Sequence, residues 1–155
     1  MAFRGTLMTY EYRKGRPRDA RACAQIIHNW DAEVPWMVPL DTLDSMTEFW
    51  RSLLGTAAAW VAENNGEVVG FCARNDDNIA GLYVDRHARN CGVGKRLLDL
   101  AKADRDWITV WAYEANTAAR KFYRREGLIE ISREMEVYDD GSRLMDVEHR
   151  WTRQS

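Results

Sequence analysis

The sequence has almost no net charge. Its Lys and Arg residues number 22 and its Asp and Glu residues number 24, which gives a formal net charge of −2 at pH 7. A chain with this balance lacks the basic field over its whole surface that holds a polyanion. We therefore expect no nucleic-acid partner.

Long apolar runs are also missing. Residues 1–10 contain no apolar segment of signal-peptide length, and no run approaches the ~20 apolar residues that cross a bilayer. The composition, 46% hydrophobic and 30% charged, is typical of a globular protein, and 155 residues match the size of one compact unit. We expect a single domain covering residues 1–155, located in the cytoplasm and without a membrane partner.

Cysteine is scarce, and no two cysteines form a CxxC pair. The three histidines lie far from one another and from the cysteines in the sequence. This spacing argues against a disulfide framework and against a zinc site, so no metal is expected. The three cysteines, interpreted as buried or incidental thiols, are Cys23, Cys72 and Cys91.

The periodicity of apolar residues changes several times along the chain. It predicts elements in the order β, α, α, β, β, β, α, β, α, β, β, with Asn-Gly and Asp-Gly turn signals at residues 65–66 and 140–141. We predict an α/β (α+β) fold with a mixed, mostly antiparallel central sheet of about seven strands and about four helices. Predicted helices lie within residues 17–30, 43–54, 93–102 and 116–125, and predicted strands within 6–13, 58–63, 67–74, 79–84, 107–113, 128–138 and 143–151.

Two glycines stand where the strand at residues 79–84 must turn into the next helix. The segment from Arg89 to Gly94 reads Arg-Asn-Cys-Gly-Val-Gly, which lets the backbone approach a ligand closely and present several N–H donors. Together with the unpaired amides of a helix start, these donors would form an anion site. A tight turn with nothing bound fits the glycines equally well.

Spacing decides among the known phosphate loops. A Walker loop needs a glycine five residues before Gly94 and a Ser or Thr after Lys95, but Arg89 and Arg96 stand there. A dinucleotide fingerprint needs a third glycine three residues after Gly94, where the chain has Leu97. Neither of these loops matches the sequence.

The remaining pattern, Arg/Gln-x-x-Gly-x-Gly/Ala after a strand ending in Leu82-Tyr-Val84, resembles the coenzyme A signature of the GCN5-related N-acetyltransferase (GNAT) superfamily. A second pattern, Asn-x-x-Ala-x-x-Phe-Tyr-x-x-x-Gly over residues 116–127, is similar to the second motif of that family. The family often has proline where Arg86 stands and glycine where Asn90 stands. Asn tolerates a left-handed backbone well, so Asn90 is expected to keep the turn.

The resemblance implies acetyl-CoA as co-substrate. Backbone amides of residues 89–95 would hold its pyrophosphate, and backbone groups of Leu82 and Val84 would pair with its pantetheine arm. Gly81, inside the strand, indicates a bulge that would open such an edge. The implied cofactor-binding residues are Leu82, Tyr83, Val84, Arg89, Asn90, Cys91, Gly92, Val93, Gly94, Lys95 and Asn116.

Asn116 and Tyr123 are implied to act on the same ligand. They lie seven residues apart, so they share one helix face with a rise of about 10 Å between them. Tyr123 would be the general acid that protonates the departing thiolate, and Asn116 would hydrogen-bond the cofactor arm. Ordinary structural roles are the alternatives: a half-buried aromatic packed on the sheet, and an N-cap.

Only a few residues of the sequence indicate a general base or an acceptor site. Glu114 lies near the end of the strand before Asn116, and Glu33 lies in a segment where the family places acceptor contacts. Trp30, Asp31, Glu33 and Trp36 would suit a cationic amine through carboxylate pairing and cation–π contact. The alternative is core aromatics flanked by solvated acids. Glu114 is the candidate base, and Glu33 and Trp36 are the candidate acceptor-binding residues.

The sequence thus predicts an N-acetyltransferase that moves an acetyl group from acetyl-CoA to a primary amine of a small molecule or a protein by direct attack. One alternative is a non-catalytic acyl-CoA-binding or regulatory module of the same fold. Another is a loop that binds a different phosphate-bearing cofactor. Self-association into a homodimer is common in the family and is encouraged by exposed Trp side chains. The acceptor amine and the acyl-chain preference stay open.

Overall fold

The computed structural model describes residues 9–37 and 41–155. Within these ranges the chain forms seven strands and four α-helices in the predicted order. The start of the first predicted strand, residues 6–8, lies outside the described residues. The elements are β1 Glu11–Lys14, α1 Ala20–Glu33, α2 Leu43–Leu54, β2 Ala58–Asn64, β3 Glu67–Asn75, β4 Asn78–Val84, α3 Val93–Lys102, β5 Trp107–Tyr113, α4 Thr117–Arg125, β6 Ile129–Val137 and β7 Arg143–Thr152.

The strands form one sheet in the order β1-β2-β3-β4-β5-β7-β6. Only β4 and β5 run parallel, and the other neighbours are antiparallel. Asn65 and Gly66 both have positive φ, 53° and 79°, which is the two-residue turn that suits the twist of a hairpin. The predicted mixed, mostly antiparallel sheet is confirmed.

The sheet splits between its two parallel strands. β4 and β5 pair only at Asn78 with Thr109 and at Ile79 with Val110. On its other side, β4 pairs Gly81 with β3 but leaves Ala80 without a partner, so a β-bulge lies beside the glycine that predicted it. Beyond the bulge, β4 and β5 separate and their facing edges line a cleft.

Apolar side chains pack on both sides of the sheet. One core joins the sheet to α3 and α4, and the other joins it to α1 and α2. Each fully buried large apolar side chain contributes roughly 1.5–3 kcal/mol, so the two layers hold the helices firmly against the split sheet. Among the described residues, no helix combines the length and apolar character needed to span a membrane.

Candidate active site

The cleft between β4 and β5 has a volume of about 820 Å³ and brings the two sequence motifs together. Its walls come from both strands, from the loop before α3 and from α4. Cys91 and Val93 do not line it: Cys91 is exposed, and Val93 is buried in the core. The predicted cofactor-binding residues that do line it are Leu82, Tyr83, Val84, Arg89, Asn90, Gly92, Gly94, Lys95 and Asn116.

The loop before α3 turns through two left-handed residues. Asn90 has φ 61° and Gly92 has φ 82°, so Asn90 keeps the turn as expected. A Cβ on Gly92 would meet no atom within 4 Å, so the backbone angle, not crowding, favours glycine there. Because α3 begins at Val93, its first N–H groups have no carbonyl partner inside the helix. This arrangement can hold an anion.

Cations also line the cleft. Lys95, Lys121 and Arg125 all line it. Lys95 Nζ lies 3.0 Å from Glu126 Oε1 and 3.3 Å from Asp99 Oδ2, and these hydrogen bonds raise the pKa of Lys95. Neither motif marks Lys121 or Arg125 as a site residue, although their spacing of four residues on a predicted helix places them on one face.

The edge of β4 beyond the bulge offers backbone groups to the cleft. The side chains of Leu82 and Val84 pack against the α3–α4 core, as expected, so their backbone is the part available for recognition. The Val84 carbonyl accepts a hydrogen bond from Arg89 Nε at 3.0 Å. An amide-bearing ligand arm could add to this edge as a strand does.

Asn116 lines the cleft and also caps α4. Its Oδ1 accepts a hydrogen bond from the Ala119 N–H at 3.1 Å. The cap and the ligand role are compatible, because the Nδ2 group of the amide is the part that can donate to a ligand.

Tyr123 lines the cleft although its side chain is only 5% exposed. Its ring packs between Phe122 and His149, with centroid distances of 5.4 and 5.7 Å. Burial raises the pKa of Tyr123 above the usual phenol value, and Cys72 and Tyr83 add to the rise. The phenol therefore keeps its proton at neutral pH and can donate it.

His149 is a neighbour of Tyr123 that the sequence did not single out. It is 4% exposed, and burial lowers its pKa, so the imidazole is neutral at neutral pH. Its Nδ1 has no hydrogen-bond partner in the part of the chain that the structure describes. His149 packs against the Tyr123 ring without adding a charge.

Two carboxylates predicted to serve the site are held in ion pairs with arginines. Glu114 forms an ion pair with Arg133 at the surface and does not line the cleft. Glu33 accepts hydrogen bonds from Arg89 Nη1 at 2.8 Å and Nη2 at 3.5 Å. Glu33 thus ties the end of α1 to the first residue of the glycine loop.

Four aromatic rings cross the split on the α1 side of the sheet. Tyr83, Trp30, Trp36 and Tyr113 meet edge to face in that order, with centroid distances of 5.6, 5.7 and 5.8 Å. Tyr83 belongs to β4 and Tyr113 to β5, so the row joins the two separated strands. Two of its members are predicted site residues: Tyr83 for the cofactor and Trp36 for the acceptor. The strand alternation that packs Leu82 and Val84 against one core could have assigned Tyr83 to the other face.

Carboxylates lie beside Tyr113. Its hydroxyl is 2.9 Å from the Tyr138 hydroxyl, which donates to Glu136 Oε2 at 2.8 Å. Asp146 on β7 is the cross-strand partner of Tyr113. Burial, followed by the charge of Glu136, raises the pKa of Asp146 to about 6.

Residues 55–128 match a family model described as the acetyltransferase (GNAT) domain. The peptidyl-lysine N-acetyltransferase YjaB of Escherichia coli K12 is 34% identical over 92 residues, which are 59% of this chain and 62% of that protein. YjaB of Salmonella typhimurium is 31% identical over 97 residues, 62% of this chain and 66% of that protein. The match therefore spans less than two thirds of the length of either relative.

Solved structures extend the likeness over almost the whole chain. The apo form of Escherichia coli YjaB has a TM-score of 0.74 and 25% identity, covering 93% of this chain and 98% of that one. YncA of Salmonella typhimurium, solved with its cofactor acetyl-CoA, has a TM-score of 0.72 and 17% identity, covering 95% of both. The split sheet is thus a GNAT fold. The family model, the relatives and the solved structures all support the GCN5-related N-acetyltransferase superfamily, which the two motifs predicted.

Proposed function

We propose that the protein is an N-acetyltransferase that moves an acetyl group from acetyl-CoA to a primary amine of a small molecule or a protein. The observation that carries the proposal is that one cleft is lined both by a glycine loop at a helix start and by the protonated Tyr123. A lysine side chain is the first acceptor to test, because the relatives with matching segments are named peptidyl-lysine N-acetyltransferases.

The lining residues fit a diphosphate joined to an amide-bearing arm. The N–H groups at the start of α3 would hold the diphosphate, and Lys95, Lys121 and Arg125 would balance its charge. The open edge of β4 and the Nδ2 group of Asn116 would pair with the arm. When bound, acetyl-CoA supplies an acyl group activated as a thioester.

Tyr123 would supply the proton that the transfer needs at sulfur. The neutral amine attacks the acyl carbon directly, the C–N bond forms, the C–S bond breaks, and the phenol proton passes to the leaving thiolate. The nitrogen loses a proton in turn, and the phenolate recovers one. Starting from an ammonium, the balance is one amide, one free thiol and one released proton.

A direct assay tests this function. The purified protein is incubated with acetyl-CoA and a panel of small amines and lysine peptides, thiol release is followed, and mass spectrometry identifies the acetylated product. Amine-dependent thiol release with a product 42 Da heavier is expected, since replacing one N–H hydrogen by an acetyl group adds about that mass. Reactions without amine measure background hydrolysis. Binding of coenzyme A without acetylation of any amine would favour the non-catalytic module.

A further inference from the structure

The aromatic row and Tyr123 reach the same cleft from opposite sides of the sheet. Tyr123 belongs to the core under α3 and α4, whereas Tyr83 packs with the core under α1 and α2. Tyr83, Trp30 and Tyr113 nevertheless line the same cleft as Tyr123. A molecule that enters from the α1 side meets the row before it reaches the split.

Two arginines on this part of the molecule are already paired. Arg89 is held by Glu33, and Arg133 is held by Glu114. The negative charge beside the row is therefore not balanced by these arginines. In the described ranges, the carboxylates near the row that form no ion pair with Lys or Arg are Asp31, Glu136 and Asp146.

The hydrogen bonds of Tyr113 connect the row to these carboxylates. Glu136 Oε2 accepts from the Tyr138 hydroxyl at 2.8 Å and lies 3.4 Å from the Tyr113 hydroxyl. Asp146 and Tyr113 are directly opposite on β7 and β5, so their side chains share one face of the sheet. Aromatic faces and unpaired carboxylates together are what an ammonium group on an aliphatic stem requires.

We propose that this aromatic row is the entrance for the acceptor amine, and that Asp146, supported by Glu136, holds the ammonium group and takes its proton. The proposal rests on the proposed acetyl transfer and assigns the acceptor end of the same site. The ammonium N–H bond breaks, the proton passes to the Asp146 carboxylate and on to water, and the nitrogen keeps the electron pair that forms the new C–N bond. Asp146 thus replaces Glu114 as the assigned base.

The protonation of Asp146 fits this role. Its pKa is raised to about 6 by burial, by Glu136 and by Glu134 on β6, and the titratable groups that face it from β5 and β4 are Tyr113 and Tyr83. The carboxylate is therefore charged at neutral pH, and its pKa is close enough to that pH for it to accept a proton.

Asp146→Asn and Glu136→Gln test the assignment, with Glu148→Gln as the matched control. Glu148 lies two residues further along β7, on the same face, and bonds Ser132. Asp146→Asn is expected to lower kcat/KM for the amine by about 10–100-fold and to remove the rise of kcat/KM through pH about 6. The control keeps both, and the affinity for coenzyme A stays unchanged in all three variants.

A binding measurement separates this role from a structural one. Calorimetry of a lysine peptide added to the protein saturated with coenzyme A requires no turnover, and both site variants should weaken peptide binding while the control does not. If both site variants keep the kcat/KM, the pH profile and the peptide affinity of the wild type, the acceptor assignment alone is overturned. Absence of coenzyme A binding and thiol release in the wild type would overturn the proposed function first.

Discussion

Burial acts differently on Tyr123, which lines the cleft, and on Asp146, which lies opposite the cleft-lining Tyr113. Tyr123 is almost fully buried, and desolvation raises its pKa, so the proton that acid catalysis needs is present throughout the neutral range. Asp146 is half-buried, and its pKa of about 6 allows it to exchange a proton near neutral pH. Two groups with separated pKa values are the arrangement expected of an acid and a base in one site.

Removal of the Tyr123 hydroxyl should affect turnover more than binding. Tyr123→Phe keeps the ring that packs against Phe122 and His149, so the fold should persist. We expect kcat to fall by about 10²-fold or more, because a positioned general acid contributes about 10²–10⁴-fold, while KM for acetyl-CoA changes little. Steady-state kinetics measure both, and unchanged kcat would remove Tyr123 from the mechanism.

Asp146 should make the free protein less stable at neutral pH. Its folded pKa of about 6 lies above the unfolded value of 3.8, so the cost of the buried charge is fully present above pH 6 and absent below pH 3.8. Asp146→Asn should therefore raise the free energy of unfolding at pH 8, by about 1 kcal/mol after allowance for solvent screening of a half-exposed group. Urea denaturation at pH 8 and pH 4 measures this, and an equal effect at both pH values would contradict the argument.

At the scale of elements, helix α3 lies directly on the backbone of β3. A Cβ on Gly70 would lie 3.2 Å from Val93 Cγ1, 3.3 Å from Leu97 Cδ1 and 3.2 Å from the Tyr83 carbonyl oxygen. These distances are tighter than ordinary packing contacts, and two of the three atoms belong to α3. The absence of a side chain at Gly70 therefore sets how closely α3, and with it the glycine loop, approaches the sheet.

Gly70→Ala should move the start of α3 and weaken coenzyme A binding. Overpacking of this kind typically costs about 1–3 kcal/mol of stability, and the displaced loop should lower affinity several-fold. Gly55→Ala is the control, since Gly55 caps α2 with a right-handed backbone and should leave affinity unchanged. Calorimetric titration with coenzyme A compares the two variants, and equal affinities would show that α3 adjusts without moving the loop.

At the scale of the whole molecule, a net charge of −2 does not prevent an anionic ligand from binding. The cations that matter are local, since Lys95, Lys121 and Arg125 line the cleft itself, and charges at other surfaces are screened over about 10 Å. A single domain over residues 1–155, cytoplasmic location and a homodimer stay predictions.

Coenzyme A should stabilise the folded chain as a whole. A ligand at 100 times its Kd that binds only the folded state adds about 2.7 kcal/mol, or roughly 5–10 °C in Tm for a chain of this length. Thermal melts with coenzyme A, ATP and ADP at equal concentrations measure the effect, and the nucleotides should give a smaller shift because they lack the arm that pairs with β4. Stabilisation by nucleotides but not by coenzyme A would instead support the other phosphate-bearing cofactor.

The sequence by itself determined the order of elements, the hairpin turns, the bulge beside Gly81 and the two motifs at residues 82–95 and 116–127. These features depend on short-range rules: apolar periodicity, the backbone freedom of Gly and Asn, and helix caps. Tertiary structure alone decided which carboxylates remain free, because the pairing of Glu33 with Arg89 and of Asp146 with Tyr113 joins residues far apart in the chain. Strand register and helix packing set those distances, and no local pattern encodes them.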